Sequence, residues 1–245
     1  MMIQAIILLS VFATSILSGV LGMAGGMILM AVLVSTVSVA SAMMIHGAVQ
    51  ATANGSRAWF LRTNIQWQIL PSYLLGAVVA LAVFAALTLV PDANLILILV
   101  GSFPFLARLV PHLRGLDVTR PLVAVNCGIV VTSAQLLAGV SGPLLDVFYL
   151  NSRLNRYQII ASKALTQTIG HLLKLVYYGL IIGVVDNVAA AFYLLAMTTA
   201  VIGTRLGTRL LDRVDDVRFR SISSYVILAI AALCIVRGIS GYLGW

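Results

Sequence analysis

His46-Gly47-Ala48-Val49-Gln50-Ala51-Thr52-Ala53-Asn54-Gly55-Ser56-Arg57 and, 117 positions later, Lys163-Ala164-Leu165-Thr166-Gln167-Thr168-Ile169-Gly170-His171-Leu172-Leu173-Lys174 are the two stretches that decide how this chain folds. In both, polar side chains recur at the same spacing: His46, Gln50, Asn54 and Arg57 in the first, Lys163, Gln167, His171 and Lys174 in the second. At about 100° per residue either set falls within a sector of about 80°, so each stretch reads as a helix carrying one polar stripe. Neither stripe contains Asp or Glu.

The setting of the stripes is apolar. Of the 245 residues 61% are hydrophobic and 9% charged, and the mean hydropathy is +1.09. This excludes a disordered chain and fits no ordinary soluble domain. Glu is absent, and the first charged side chain is Arg57. Fifteen basic against seven acidic residues leave a net charge of +8. The basic residues gather in loops and at helix ends, the pattern of a chain whose partner is the lipid bilayer, with no nucleic acid expected. Cys127 and Cys234 lie in apolar runs, so neither a disulfide framework nor a metal site is indicated, and no cofactor is called for. The stretch from Met1 to Gly22 lacks a basic leader and reads as a retained helix.

A bilayer core of about 30 Å takes about 20 apolar residues per helix. Long helices are expected near 4–22, 41–60, 67–90, 94–108, 121–141, 157–183, 188–210 and 222–243. Shorter apolar segments fall at 27–38 and 143–151, each after a Gly or Pro break. Such half-length or re-entrant helices are tolerated in a membrane only where protein or a cavity covers their ends. The fold class is therefore an all-α polytopic membrane protein with about eight long transmembrane helices and two short segments.

The chain repeats itself. Gly19-Val20-Leu21-Gly22 returns as Gly139-Val140-Ser141-Gly142, the polar stripes follow, and Gly76 is matched by Gly203. The common order suggests a first transmembrane repeat over 1–110, a basic cytoplasmic linker over 111–120, and a second repeat over 121–245. Five crossings per repeat, an odd number, would insert the second upside down, a known transporter construction. If the short segments do not cross, parity no longer requires the inversion. With five crossings, Arg57 and Arg62, Arg108, Arg114 and Arg120, Arg153 and Arg156, and Arg213, Arg218 and Arg220 share one side, which the positive-inside rule makes cytoplasmic.

Polar groups inside a membrane face protein or a wet cavity. Gln50, Asn54, Gln167 and His171 are the inner members of the stripes, and Arg57, Lys174, His46 and Lys163 the outer ones. Amide, imidazole, guanidinium and ammonium groups supply donors and positive charge, the partners a dehydrated small anion needs. The competing reading has Arg57 and Lys163 snorkelling from helix ends while Gln50 and Gln167 hold helices together. Asp146 is the best candidate for a carboxylate within the membrane, with a loop position as its alternative. Gly22, Gly25 and Gly26, with Gly142 and Pro143 at the matching place, break the helices so that N-termini could aim unpaired N–H groups at a shared centre. Close helix packing is the other use for such glycines. His112 sits among Arg108, Arg114 and Asp117 in a solvated loop, and no enzyme constellation stands out.

The Gly19-to-Gly26 break, the Gln50-to-Arg57 stretch and the two-unit layout resemble the TauE/SafE family of membrane proteins, the 4-toluene sulfonate uptake permeases, over essentially the full chain. The resemblance implies a helical inverted-repeat permease, multi-pass in the cell membrane and commonly in the bacterial inner membrane, with substrate at the interface of the halves. The implied substrates are sulfite, sulfonates, sulfoacetate or other small anions. Met27 stands where the family's glycine run would continue. The expected mechanism is alternating access, in which His171 or His46 could bind a coupled proton. A membrane scaffold, an uncoupled anion channel, and a homo-oligomer stay open alternatives at this stage.

Overall fold

The computed structural model describes residues 2–21, 24–109, 116–150, 152–184, 188–211 and 216–244, without the side chains of residues 20, 21, 24, 150, 211, 216–224 and 226. Among the described residues all regular structure is helical. The helices are α1 (Met2–Leu21), α2 (Ala24–Thr36), α3 (Val39–Phe60), α4 (Leu70–Leu87), α5 (Ala93–Leu109), α6 (Pro121–Ala138), α7 (Gly142–Leu150), α8 (Arg156–Val176), α9 (Ala190–Leu211) and α10 (Asp216–Leu243). The eight long segments expected from the sequence coincide with α1, α3, α4, α5, α6, α8, α9 and α10, and the two short ones with α2 and α7. At 1.5 Å per residue α2 and α7 are about 20 Å and about 14 Å long, short of a bilayer core. Gly22 and most of the basic linker, 111–115, lie outside the described residues.

Punctuation residues set the helix ends. Pro71 and Pro121 stand in the first turns of α4 and α6, where a missing N–H costs nothing. Gly139 ends α6 at φ 73°, the left-handed region that glycine enters freely. Asn155 and Gln158 form a reciprocal capping box that starts α8. That helix was expected to run to 183, but its α geometry stops at Val176 and a π turn follows over Tyr177–Ile181. The turn aims two tyrosine hydroxyls at neighbouring carbonyls: Tyr177 donates to Leu89 O, just past α4, at 2.7 Å, and Tyr178 to Leu136 O in the last turn of α6 at 2.8 Å. Asp92 accepts from Asn94 and Leu95 N–H and from the Tyr242 hydroxyl at 2.6 Å, which ties the start of α5 to the end of α10. The Tyr242 hydrogen bond is the main reason that its carboxyl sits below the usual range.

Four pairings dominate the packing: α4 with α6, α1 with α9, α5 with α10, and α3 with α8. Glycine lets backbones touch at most of these crossings, the usual device where lipid offers no hydrophobic drive between helices. A Cβ on Gly76 would meet the Val125 carbonyl, one on Gly128 the Tyr73 carbonyl, and one on Gly207 the Ile16 carbonyl. Directions follow from the contacts. In α3 and α8, His46 lies by Lys174 and Gly55 by Thr168, so the helices are antiparallel. In α5 and α10, Gly101 meets Ala231 and Gly238 meets Asn94, again antiparallel. In α1 and α9, Gly203 lies by Phe12 and Gly207 by Ile16, so these run parallel.

Large apolar side chains cover the outside, among them Leu75, Val78 and Val83 of α4, Leu194, Leu195 and Ile202 of α9, and Leu233 and Val236 of α10. Such an apolar surface suits lipid and not water. Among the described residues four helical segments, Met2–Gly19, Trp67–Leu87, Pro121–Ala138 and Ala190–Leu210, are long and apolar enough to cross a membrane. α3 and α8 are absent from that set because their stripes lower their hydropathy, and the stripes are buried between helices and not turned to lipid.

Candidate functional site

The crossing of α3 and α8 brings the two polar stripes face to face. His46, Gln50 and Asn54 from α3 and Gln167 and His171 from α8 line one recess. Ser18 near the end of α1 and Gly26 and Met27 in the first turn of α2 close one flank, and Val140, Ser141 and Gly142 at the α6–α7 break close the other. Among the described residues no acidic residue lines the recess. The two half-length helices thus begin at its wall, and the first N–H groups of a helix have no acceptor within that helix. Their dipoles place partial positive charge at the same spot.

Within the recess the hydrogen bonds leave donors over. Asn54 Nδ2 donates to Gln50 O at 3.0 Å and to Gln50 Oε1 at 3.3 Å. Among the described residues Gln50 Nε2 and His171 Nδ1 are buried without partners. Behind the wall, Ser141 donates to Gln135 Oε1 at 2.7 Å, while Gln135 Nε2 has no acceptor among the described residues. The network also assigns the His46 tautomer. Its Nε2 lies 2.8 Å from Gly26 O, and a carbonyl only accepts, so Nε2 carries the proton. Nδ1 is then the acceptor for Lys174 Nζ at 2.9 Å. The His171 ring packs 5.4 Å from that of His46, tilted by 54°.

The three cations of the stripes are buried beside the recess and do not line it. Lys174 also donates to Gly139 O at 3.1 Å, so it answers the end of α6. Arg57 donates through Nη1 to Asn54 Oδ1 at 3.3 Å. Lys163 forms an ion pair with Asp146 of α7, which the structure places in a helix and buries. His46, Gln50, Asn54, Gln167, His171, Gly26 and Gly142 are therefore brought together, whereas Arg57, Lys163 and Lys174 stand one shell out. Gly25 packs against the Thr14 carbonyl and Ser18 Oγ, a close-packing role, and Pro143 is buried at the start of α7. Ser18 and Gln135 were not foreseen as neighbours of the site. A Ser one residue before the Gly19 motif, and a Gln four before Gly139, are signals too common in membrane helices to single out alone. Among the described residues no group of His, Cys, Asp or Glu could hold a metal ion.

The arrangement is an acid-free polar recess, among the described residues, at two helix starts in an apolar bundle. The chain matches the family model for the sulfite exporter TauE/SafE over residues 6–234. It belongs to the TauE/SafE family and is a multi-pass membrane protein of a transporter family. Comparison with curated proteins and with solved structures gives no match.

Proposed function

We propose that the protein is a secondary transporter for small sulfur oxyanions such as sulfite, working by alternating access in a bacterial inner membrane, with the α3–α8 recess as its substrate site. The observation that carries this reading is the pair of unpartnered buried groups, Gln50 Nε2 and His171 Nδ1, facing a recess without acids. An oxyanion would supply the acceptor that Gln50 Nε2 lacks, and one for His171 Nδ1 when that nitrogen carries a proton, and the α2 and α7 N-termini would add donors without side-chain charge. A scaffold would pack its stripes against each other, so the recess counts for transport.

Two inverted repeats, 1–110 and 121–245 joined by 111–120, are part of the proposal. Supporting it, the matching helices α3 and α8, and α5 and α10, run antiparallel. The pairing of α1 with α9 is echoed by that of α4 with α6, as exchange of the halves requires. This support does not depend on whether α2 and α7 cross.

Proton coupling, if present, runs through His171. Both nitrogens of His46 are engaged, and protonating its Nδ1 would set an N–H against the Lys174 ammonium donor. His171 Nδ1 is free of protein partners among the described residues. The test is sulfite uptake into liposomes holding the purified protein. Wild type should show saturable uptake that falls about tenfold or more in Gln50→Ala/Gln167→Ala, as two hydrogen bonds to a charged ligand are lost. His171→Gln should keep sulfite exchange but lose accumulation driven by a pH gradient. Absence of sulfite flux in correctly inserted wild type would overturn the reading.

A further inference from the structure

The far end of the α3–α8 crossing, away from Lys174, holds charges that the recess does not use. Arg57 is 2% exposed. Its Nη1 is bonded to Asn54, but its Nε and Nη2 have no partner among the described residues. Nε–H and Nη2–H lie along one edge of the guanidinium, so the whole side-on fork is unoccupied. That edge takes two oxygens of a single oxyanion.

Lys163 is at the same end, since Ala58 next to Arg57 clusters with Ala164 next to Lys163, and it is held by Asp146, whose Oδ2 is itself buried and without a hydrogen-bond partner among the described residues. The group therefore sets two buried cations against one carboxylate. At this end of the crossing Ala58, Ile65, Ala161 and Ala164 form an apolar cluster, with Leu61 and Leu165 packed on it. The Gln66 N–H donates to Ser162 Oγ at 2.9 Å across the same end. Asn54 belongs both to the recess and to the Arg57 contact, which makes it the step between them.

We propose that the free edge of Arg57, with the Lys163–Asp146 pair beside it, is a second oxyanion subsite between the recess and this apolar cluster, and that Asp146 is a resident carboxylate that the substrate displaces from Lys163. The proposal rests on the transporter reading above and adds a second stop to the path. A tethered competitor has a clear use. Conduction needs binding strong enough for entry and weak enough for departure, and Asp146 returning to Lys163 would help to expel the anion.

The test uses the full chain in nanodiscs, with labelled sulfite as the probe, and reads equilibrium binding and thermal midpoint; flux is read in liposomes. Asp146→Asn leaves both cations unanswered and should bind sulfite about fivefold or more tighter than wild type. Without anion its midpoint should fall, sulfite should restore it, and flux should slow because release is retarded. Asp146→Asn/Lys163→Gln should lose the tightening. Arg57→Lys keeps the charge but not the fork, and should raise half-saturating sulfite by about tenfold. This variant decides the matter if Asp146→Asn does not fold. Wild-type affinity in Arg57→Lys, or in a folded Asp146→Asn with no stabilisation by sulfite, would overturn the subsite while leaving the recess reading intact. Absence of wild-type flux would overturn the transporter reading, and the binding arms would still decide whether the subsite exists.

Discussion

Lys174 is fully buried, and among the described residues no carboxylate forms an ion pair with it. What answers it is the C-terminus of α6: the Gly139 carbonyl accepts from Nζ, and His46 Nδ1 accepts beside it. Helix ends carry partial negative charge and orphan carbonyls, both of which a donor at this place relieves. Lys174→Met would leave two buried acceptors unpaired and should cost about 1–3 kcal/mol of stability. The unfolding midpoint in detergent checks this, and an unchanged midpoint would show that the Lys174 contacts are not structural. From the sequence, Lys174 and Lys163 are equivalent members of two stripes. Their partners, His46 at 128 positions' distance and Asp146 in another helix, depend on how helices are brought together, and no local pattern encodes that. Gln50, Asn54, Gln167 and His171 could be foreseen because a 3.6-residue period needs only the helix itself.

At the scale of elements, Gly and Pro made the breaks readable, since each acts through its own backbone: Pro121 starts α6, Gly139 stops it and Gly142 begins α7. The π turn after Val176 was not readable, because it exists alongside the two tyrosine hydroxyls reaching Leu89 and Leu136, contacts set by tertiary packing. Glycine inside a helix is equally silent about its neighbour. Gly76 and Gly128 prove to be opposite faces of one contact, where α4 and α6 meet backbone to backbone. Adding a methyl group there overpacks an interface with no flexible side chain to yield. Gly76→Ala and Gly128→Ala should each lose about 1–3 kcal/mol. The double variant should lose less than the sum, because helices parted by the first methyl make room for the second. Stability measurements on the three variants check this, and additive losses would mean that the two contacts are independent.

For the whole molecule, the orientation of the halves determines whether one site can open to both sides of the membrane. A parallel repeat would run α3 and α8 in the same direction and leave their stripes unmatched end to end. Antiparallel helices instead oppose His46 to Lys174 and bring Arg57 to the same end as Lys163, and the 117-residue offset carries one pair onto the other, His46 to Lys163 and Arg57 to Lys174. One end of the crossing is thus the sequence counterpart of the other, as the proposed alternating access would require of its two gates. Equivalent loops must then lie on opposite faces of the membrane. In a Cys127→Ala/Cys234→Ala background, Thr63→Cys after α3 should react with an impermeant maleimide only from the cytoplasm, the side of Arg62, Arg120 and Arg153. Ala189→Cys, after α8 and its π turn, should react only from outside. Both cysteines reacting from one face would rule out the inversion, and with it a mechanism in which the halves exchange roles around the recess.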